Sequence, residues 1–566
     1  MTEAEVSRAL QPTSNSSAPG PSGIGYKLLK WAFEASPLRF VDLFNACLQF
    51  GYHPWKLGTV VILPKPGKPD YSVAKAYWPI TLLECCSKLL EKIIASCILH
   101  DNLVHQLIPS SQFRSRDYSC TVDAAMCLTH SISDTLKSRN AGALILFDIQ
   151  GFFDNIHPGR LVKVFCDLGF PPSLVAWLES FLHDRSVSYQ FNGFRGEPFN
   201  VDFGSPQGSP LSPIISAIYA SPLLRHIQIW IHKSLSLFVD NGSVYAASAS
   251  IRGTVAIAVS AVEDILGWLK HNGLCAAKEK TEFMSISPKR CVHYGPPLMS
   301  ISILDPFVGR YEVKASNCVR YLGVFIDRYL TWKDHVAILA TQVCSTVRSL
   351  QILGNSIRGI LLVKWRKLFH AIILPILTYA APVWWHRSGQ KSLANTLQIA
   401  QNDAIQRMSG TFKTTPIVPL SNLTRILPIS LTLDKLRGSY VDRFVRPPSW
   451  VLPHTILLHN PVAVWPSFFE SQSSLSTLPP PLPTVASFMV PGPPSKPIWV
   501  HPQCRDLTVN KLTKEYFDTV CKLIDASPPT YSFYLYLHPL DVSHPDRFFM
   551  AGFVLLNRHG VVVDSG

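Results

Sequence analysis

The chain has 566 residues, 47% of them hydrophobic, enough for several domains around a large core. A formal net charge of +14 favours a polyanionic partner such as nucleic acid, although a basic excess also aids solubility or meets an anionic membrane surface. Thirteen scattered cysteines without a CxxC pair argue against a disulfide framework and against a zinc knuckle.

The first 23 residues are rich in Ser, Pro, Gly and Ala and predict a flexible segment with no signal-peptide core. Apolar residues at helical spacing run from Ile24 to Leu48. Residues 58–63 read as a strand broken by PKPGKPD, and residues 87–99 as an amphipathic helix. Residues 143–148 form a buried-looking strand, and 235–247 a hairpin whose Asn241-Gly242 pair predicts a type I′ turn. A helix covers 256–270, a strand pair 319–327, and helices continue to about residue 440. The apolar stretch near Ala371–Trp385 is too short for a bilayer and contains Pro375 and Pro382, so the expectation is a soluble, intracellular, non-secreted chain with no membrane contact. The domains expected are a flexible segment 1–23, a main body 24–310, a mixed then helical part 311–445, a Pro-rich linker 446–504, and a last segment 505–566 with helix and strand character.

Joining phosphates needs carboxylates fixed at strand ends, where a rigid sheet can present them to divalent metal ions. Asp148 follows the apolar run ALILF, and Asp240 stands at the tip of LSLFVDNGSVYAA. A purely structural reading makes Asp240 and Asn241 simple turn residues, and a tight hairpin serves both purposes. Between them GSPQGSPLSPI reads as a loop that lets a substrate approach the backbone.

In order, APGPSGI, PKPGK, YWPITLL, FDIQGFFDNI, GSPQGSPLSPI, FVDNG, GLCAAKEKTEF, RYLGVFID, LPILTYAAPVW and QNDAIQRMSGTFKTTP resemble the motifs of LINE-type (non-LTR) retrotransposon reverse transcriptases, in particular the jockey-like and fungal Tad-like groups. They cover about residues 18–430. The resemblance implies an α+β right-hand polymerase with fingers, an antiparallel palm sheet and a thumb, followed by a helical connection and a partial C-terminal α/β segment. It implies an RNA-directed DNA polymerase working on an RNA template, a DNA primer and dNTPs, in the nucleus or cytoplasm. Asp148 and Asp240 would hold two Mg²⁺ ions. Lys65 would pair with the triphosphate, Phe153 would exclude a 2′-hydroxyl, and Gln207 would touch the incoming nucleotide. Lys280 would lie near the leaving phosphate, and Tyr321, Leu322 and Gly323 would hold the primer. Oligomeric state is left open.

Departures from the pattern point to a weakened site. Asn241 stands in place of the box's second Asp, and Trp78 in place of an Arg that would fork onto the triphosphate. Arg114 and Arg116 lie in QFRSRDYSC, which lacks the family's glycines. Complete elements of this kind carry an endonuclease before the polymerase, and only about 20 residues precede APGPSGI here. The tail from Ser532 faintly resembles the first strands of a ribonuclease H. The alternative to a working polymerase is a catalytically dead remnant that only binds RNA or RNA–DNA hybrid.

Overall fold

The computed structural model describes residues 1–445, apart from 117–118, 192–193, 229–232, 289–298, 351–360 and 387–388, together with 531–539, 548–557 and 562–565. The chain divides into two compact units, Met1–Ser474 and Leu475–Gly566. The expected linker 446–504 and the start of the last segment lie outside the described residues.

The N-terminal segment is not the flexible arm that its composition suggests. It carries α1 (Glu3–Leu10), capped reciprocally by Thr2 and Glu5, with the Thr2 amide donating to Glu5 Oε2 at 2.6 Å. Val6 and Leu10, one helical turn apart, are fully buried. An apolar pair on a capped turn therefore outweighs Ser/Pro-rich surroundings. Next come α2 (Tyr26–Ala35) and α3 (Pro37–Gln49), which Pro37 separates by starting the second helix at its first turn.

In chain order follow β1 (Leu57–Pro64), β2 (Tyr77–Leu82), α4 (Cys85–His105), α5 (Thr121–Lys137), β3 (Ala141–Asp148), α6 (Pro158–Asp167), α7 (Pro172–Leu182), β4 (Arg185–Phe191), β5 (Phe194–Arg195) and β6 (Phe199–Val201). β1 is the hub of the fingers sheet. It pairs antiparallel with β2, setting Leu63 opposite Trp78, and parallel with β4, setting Val60 opposite Tyr189. β4 also pairs with β5 and β6.

The palm sheet adds α8 (Ser212–Gln228), β7 (Lys233–Phe238), β8 (Asn241–Ser248), α9 (Ile251–His271) and β9 (Glu282–Ile286), in the strand order β7-β8-β3-β9, all antiparallel. β3 is central and buried from Ala141 to Phe147. Its side chains alternate between two cores. Ala143, Ile145 and Phe147 join a core built with α1–α4 and α6–α9, whereas Leu144 and Leu146 join a second core shared with α5 and the later helices. A strand fully hydrogen-bonded on both edges and packed on both faces is a stiff platform for whatever stands at its end.

Two hairpins follow, β10 (Ser300–Asp305) with β11 (Gly309–Lys314), and β12 (Cys318–Tyr321) with β13 (Val324–Asp327). The expected boundary at 310/311 falls within the second strand of the first hairpin. The thumb region comprises α10 (Lys333–Leu350), α11 (Leu362–Leu368), α12 (Leu374–Leu377), α13 (Ala381–Trp384), α14 (Lys391–Ser409), α15 (Ile417–Thr424) and α16 (Ile429–Val445). The stretch Leu362–Trp384 is long and apolar enough, by length and composition, to cross a membrane, which corrects the expectation that it is too short. A π turn at 369–373 links α11 to α12. Trp365, Phe369, Ile373, Leu377, Ala381 and Trp384 from this stretch join the second core. In the second unit β14 (Tyr531–Pro539), β15 (Phe548–Asn557) and β16 (Val562–Ser565) form an antiparallel meander.

Candidate active site

Antiparallel register brings the two predicted carboxylates together. Asp148 pairs with Asn241, and the amide of Ile149 donates to the carbonyl of Asp240 at 2.8 Å. Asp148 and Asp240 thus stand side by side at the rim of the palm sheet. Burial, then the neighbouring Asp148 charge, hold the Asp240 carboxyl above the usual carboxylate range.

The hairpin tip differs from the type I′ turn expected at Asn241-Gly242. The turn residues are Val239 and Asp240, with Phe238 paired to Asn241. Val239 has φ +60°, a costly conformation for a β-branched residue, and such strain concentrates where a chain holds a functional group in place. Gly242 serves another purpose. It pairs with Phe147, and a Cβ there would sit 2.1 Å from the Phe147 ring. The Asn-Gly signal arose because the glycine receives an aromatic ring one residue beyond the turn.

Asn241 donates its amide to Asp240 Oδ1 at 2.9 Å. Lys280, on a short 3₁₀ turn at 278–280, pairs with Asp148 Oδ2 at 2.7 Å, and the Ala277 amide donates to the Asp148 carbonyl at 2.9 Å. Lys280 is thus in direct contact with the first carboxylate. An oxygen-only pair of carboxylates, one of them raised partly by its neighbour's charge, is the donor set that a hard divalent cation neutralises. Asp148 and Asp240 fit such an ion, and Asn241, with its amide turned to Asp240, supplies no third charge.

The GSPQGSP loop, which carries Gln207, is hydrogen-bonded to the Phe153–Asp154 turn. The Gln207 amide donates to Asp154 Oδ1 at 3.1 Å, and the Ser205 amide donates to the Phe153 carbonyl at 2.7 Å. Gly208 has φ +128°, and a Cβ there would meet the Thr81 carbonyl at 2.4 Å, so the loop can cross the end of β2 only with glycine. Arg185 fixes the loop's entry, donating to the carbonyls of Phe203 at 2.7 Å and Gly204 at 2.8 Å. From behind, the Ser209 hydroxyl bonds Glu91 Oε2 and the Ser87 hydroxyl bonds Glu91 Oε1. Glu91 is fully buried, and desolvation raises its carboxyl above the usual range. Sequence reading missed both Asp154 and Glu91. A carboxylate on the otherwise apolar face of α4, one turn from Ser87, was the available signal for Glu91.

The remaining candidates stand apart. Lys65 begins the loop after β1, its amide bonded to the Ala76 carbonyl at 2.8 Å. Trp78 lies on β2, 47% exposed. Tyr321 is buried, and Ser243 on β8 donates to its hydroxyl at 3.5 Å, which ties the β12–β13 hairpin to the β7–β8 hairpin. Leu322 and Gly323 form that hairpin's turn, and Tyr379 donates to the Leu322 carbonyl at 2.7 Å. Arg116 is buried and donates to the Ser110 carbonyl at 2.8 Å, a structural role, while Arg114 lies 5.8 Å over the Phe238 ring.

Residues 63–326 match the reverse transcriptase (RNA-dependent DNA polymerase) family model. The chain is 26% identical over 453 residues to a probable RNA-directed DNA polymerase from transposon X-element of Drosophila melanogaster, covering 78% of this chain and 48% of that protein. It is 24% identical over 417 residues to the corresponding probable polymerase from transposon BS of the same fly, covering 72% and 44%. It is 25% identical over 383 residues to the RNA-directed DNA polymerase from mobile element jockey, covering 66% and 40%. The chain thus spans about half the length, or less, of the curated relatives it matches. Among solved structures, apo telomerase from Candida tropicalis, truncated from its C-terminal domain, aligns over 48% of this chain and 53% of that chain with a TM-score of 0.34 and 15% identity, too weak a likeness to carry an argument. Enzymes of the reverse transcriptase family generally use divalent metal ions. With motif order, palm register and these relatives in agreement, residues 63–326 carry a reverse transcriptase domain, and the chain is similar to the polymerases of LINE-type (non-LTR) retrotransposons.

Proposed function

We propose that this chain is an RNA-directed DNA polymerase with a weakened catalytic centre. The observation that carries the reading is the adjacency of Asp148 and Asp240 across the β3–β8 rim. These carboxylates would hold two Mg²⁺ ions. Such ions, when bound, favour attack of a primer 3′-hydroxyl on the α-phosphate of a dNTP and departure of pyrophosphate. Lys280, paired with Asp148 here, is released to turn its ammonium towards the substrate phosphates once that carboxylate is engaged elsewhere. Phe153 packs under the sugar, Gln207 orients the nucleotide, and Lys65 meets the triphosphate as a point charge. The β12–β13 turn at Leu322–Gly323 lies along the primer, with Tyr321 anchoring it from within the core. The substrates are an RNA template, a DNA primer and dNTPs, inside the cell, in nucleus or cytoplasm. In this reading the fingers and palm occupy 24–310, the primer grip, thumb and helical connection follow over 311–445, and the C-terminal strands belong to a separate unit.

A second reading is favoured by Asn241 and Trp78, which remove a carboxylate and a guanidinium from the triphosphate side. On that reading the chain grips RNA or RNA–DNA hybrid without polymerising. Primer extension on poly(rA) with oligo(dT) and Mg²⁺ decides between the two. The first expects incorporation by the wild-type chain that vanishes in Asp148→Ala. No incorporation by folded protein that still binds the primer–template would leave only the second.

A further inference from the structure

After β3 the chain makes a turn over residues 151–155, in which the amides of Asp154 and Asn155 both donate to the Gly151 carbonyl at 3.0 Å. This turn carries Phe153 and Asp154 side by side. The start of the Gln207 loop is bonded onto it. The Gly204 amide donates to the Ile156 carbonyl at 2.8 Å, and the Ser205 amide to the Phe153 carbonyl at 2.7 Å. A Cβ at Gly204, where φ is +76°, would stand 2.6 Å from the Asp154 carbonyl oxygen, so only glycine allows this approach. At the other end, the Thr81 amide donates to the Gln207 carbonyl at 2.7 Å. The backbone is therefore fixed on both sides of the Asp154–Gln207 pair, and only the Gln207 side chain keeps a choice of orientation.

Asp154 makes that choice. An ionised carboxylate only accepts, so the end of the carboxamide that faces it is the NH2. The Gln207 nitrogen lies 3.1 Å from Asp154 Oδ1 and 3.4 Å from Oδ2. Gln207 Oε1 is then the outward end, an acceptor that no donor among the described residues reaches. Without the carboxylate the amide can turn over and offer NH2 instead, because its two ends are nearly alike in shape. An outward acceptor on a loop bonded to Phe153, the residue read above as packing under the sugar, suits a hydroxyl donor on that sugar. A 2′-deoxynucleoside triphosphate carries one there, its 3′-hydroxyl.

We propose that Asp154 is a positioning residue, which holds the Gln207 carboxamide with its oxygen towards the incoming nucleotide to accept from the sugar 3′-hydroxyl. The inference rests on the polymerase reading above. It adds a residue one position beyond Phe153 that touches no substrate and acts through Gln207.

The test is equilibrium binding of dTTP and of 2′,3′-dideoxy-TTP to the full chain on poly(rA) with an oligo(dT) primer that ends in a dideoxynucleotide, so that no bond forms. Wild type is expected to favour dTTP. Asp154→Ala weakens dTTP about tenfold, the loss of one well-placed hydrogen bond, and leaves dideoxy-TTP within about twofold. The preference for the 3′-hydroxyl thus disappears, which a general loosening of the loop would not produce. Gln207→Ala loses the same preference, and adding Asp154→Ala to it changes nothing further, since the two residues act in series. Asp154→Asn keeps the size of the side chain but lets either amide end face Gln207, and it loses part of the same preference. Equal weakening of both nucleotides, an unchanged preference in either Asp154 variant, or additive losses with Gln207→Ala overturns the proposal. A wild-type chain that binds both nucleotides equally removes this inference alone. One that binds the primer–template but neither nucleotide removes the polymerase reading with it.

Discussion

The palm rim and the Gln207 loop hold their groups by different means. At the rim the polar groups meet one another: Lys280 on Asp148, Asn241 on Asp240, both carboxylates anchored to strands that bury their neighbours on two faces. In the loop single side chains do the holding: Arg185 at its entry, Glu91 behind Ser209, Asp154 on the Gln207 amide. The rim is set before any ligand arrives, because ladder register and a strained turn fix its atoms. The loop is set one contact at a time, so a single substitution can release it. Chemistry needs preset geometry at both, but a ladder spreads it over many bonds and a loop concentrates it in few.

Removing a rim carboxylate gives the largest expected effect. Asp148→Ala or Asp240→Ala lowers nucleotide incorporation on the order of a thousandfold or more, with melting unchanged within error for Asp148→Ala because its partner Lys280 is exposed and regains water. A residual rate close to wild type would place the chemistry elsewhere. Restoring charge sharpens the contrast. In Mg²⁺-dependent primer extension, Asn241→Asp with Trp78→Arg exceeds the sum of the single changes, with a coupling of roughly 0.5–3 kcal/mol. Strict additivity would mean that the two positions do not share a substrate. Without metal, Asn241→Asp melts below wild type by about 1 kcal/mol, because it trades a hydrogen bond for a third carboxylate.

The register itself can be tested with Gly242→Ala, whose methyl enters the Phe147 ring and costs about 1–3 kcal/mol in chemical denaturation. An unaltered midpoint would show that the ring moves aside freely. The smallest effect concerns the loop's support. Burial holds the Glu91 carboxyl above the ordinary glutamate range, so the folded chain binds that proton more tightly than the unfolded one. Its contribution is complete below the ordinary range and fades as pH rises through the folded value. Glu91→Gln lacks this loss, and its Tm relative to wild type climbs as pH rises above the ordinary glutamate range. A difference flat with pH would mean that Glu91 is ionised in the fold.

Much of the site was legible in the chain. Asp148 ends an apolar run, Asp240 sits at a hairpin tip, and the Gly/Ser/Pro string between them reads as a close-approach loop. The type of turn was not legible, because Asn-Gly signals a turn whether the glycine bends the chain or receives a ring. Nor was α1, whose two apolar residues are diluted by Ser and Pro nearby. The second core was hidden because Leu144 and Leu146 face helices that lie far along the chain.

Sequence alone determined the family motifs, their order, the two carboxylates and the missing charges at Asn241 and Trp78, since these depend on residue identity and local pattern. Tertiary structure alone decided that Lys280 meets Asp148, that Glu91 holds the Gln207 loop from behind, and that Asp154 takes the Gln207 amide. Each of those contacts joins residues distant along the chain, and only strand register and helix packing bring such residues within bonding distance.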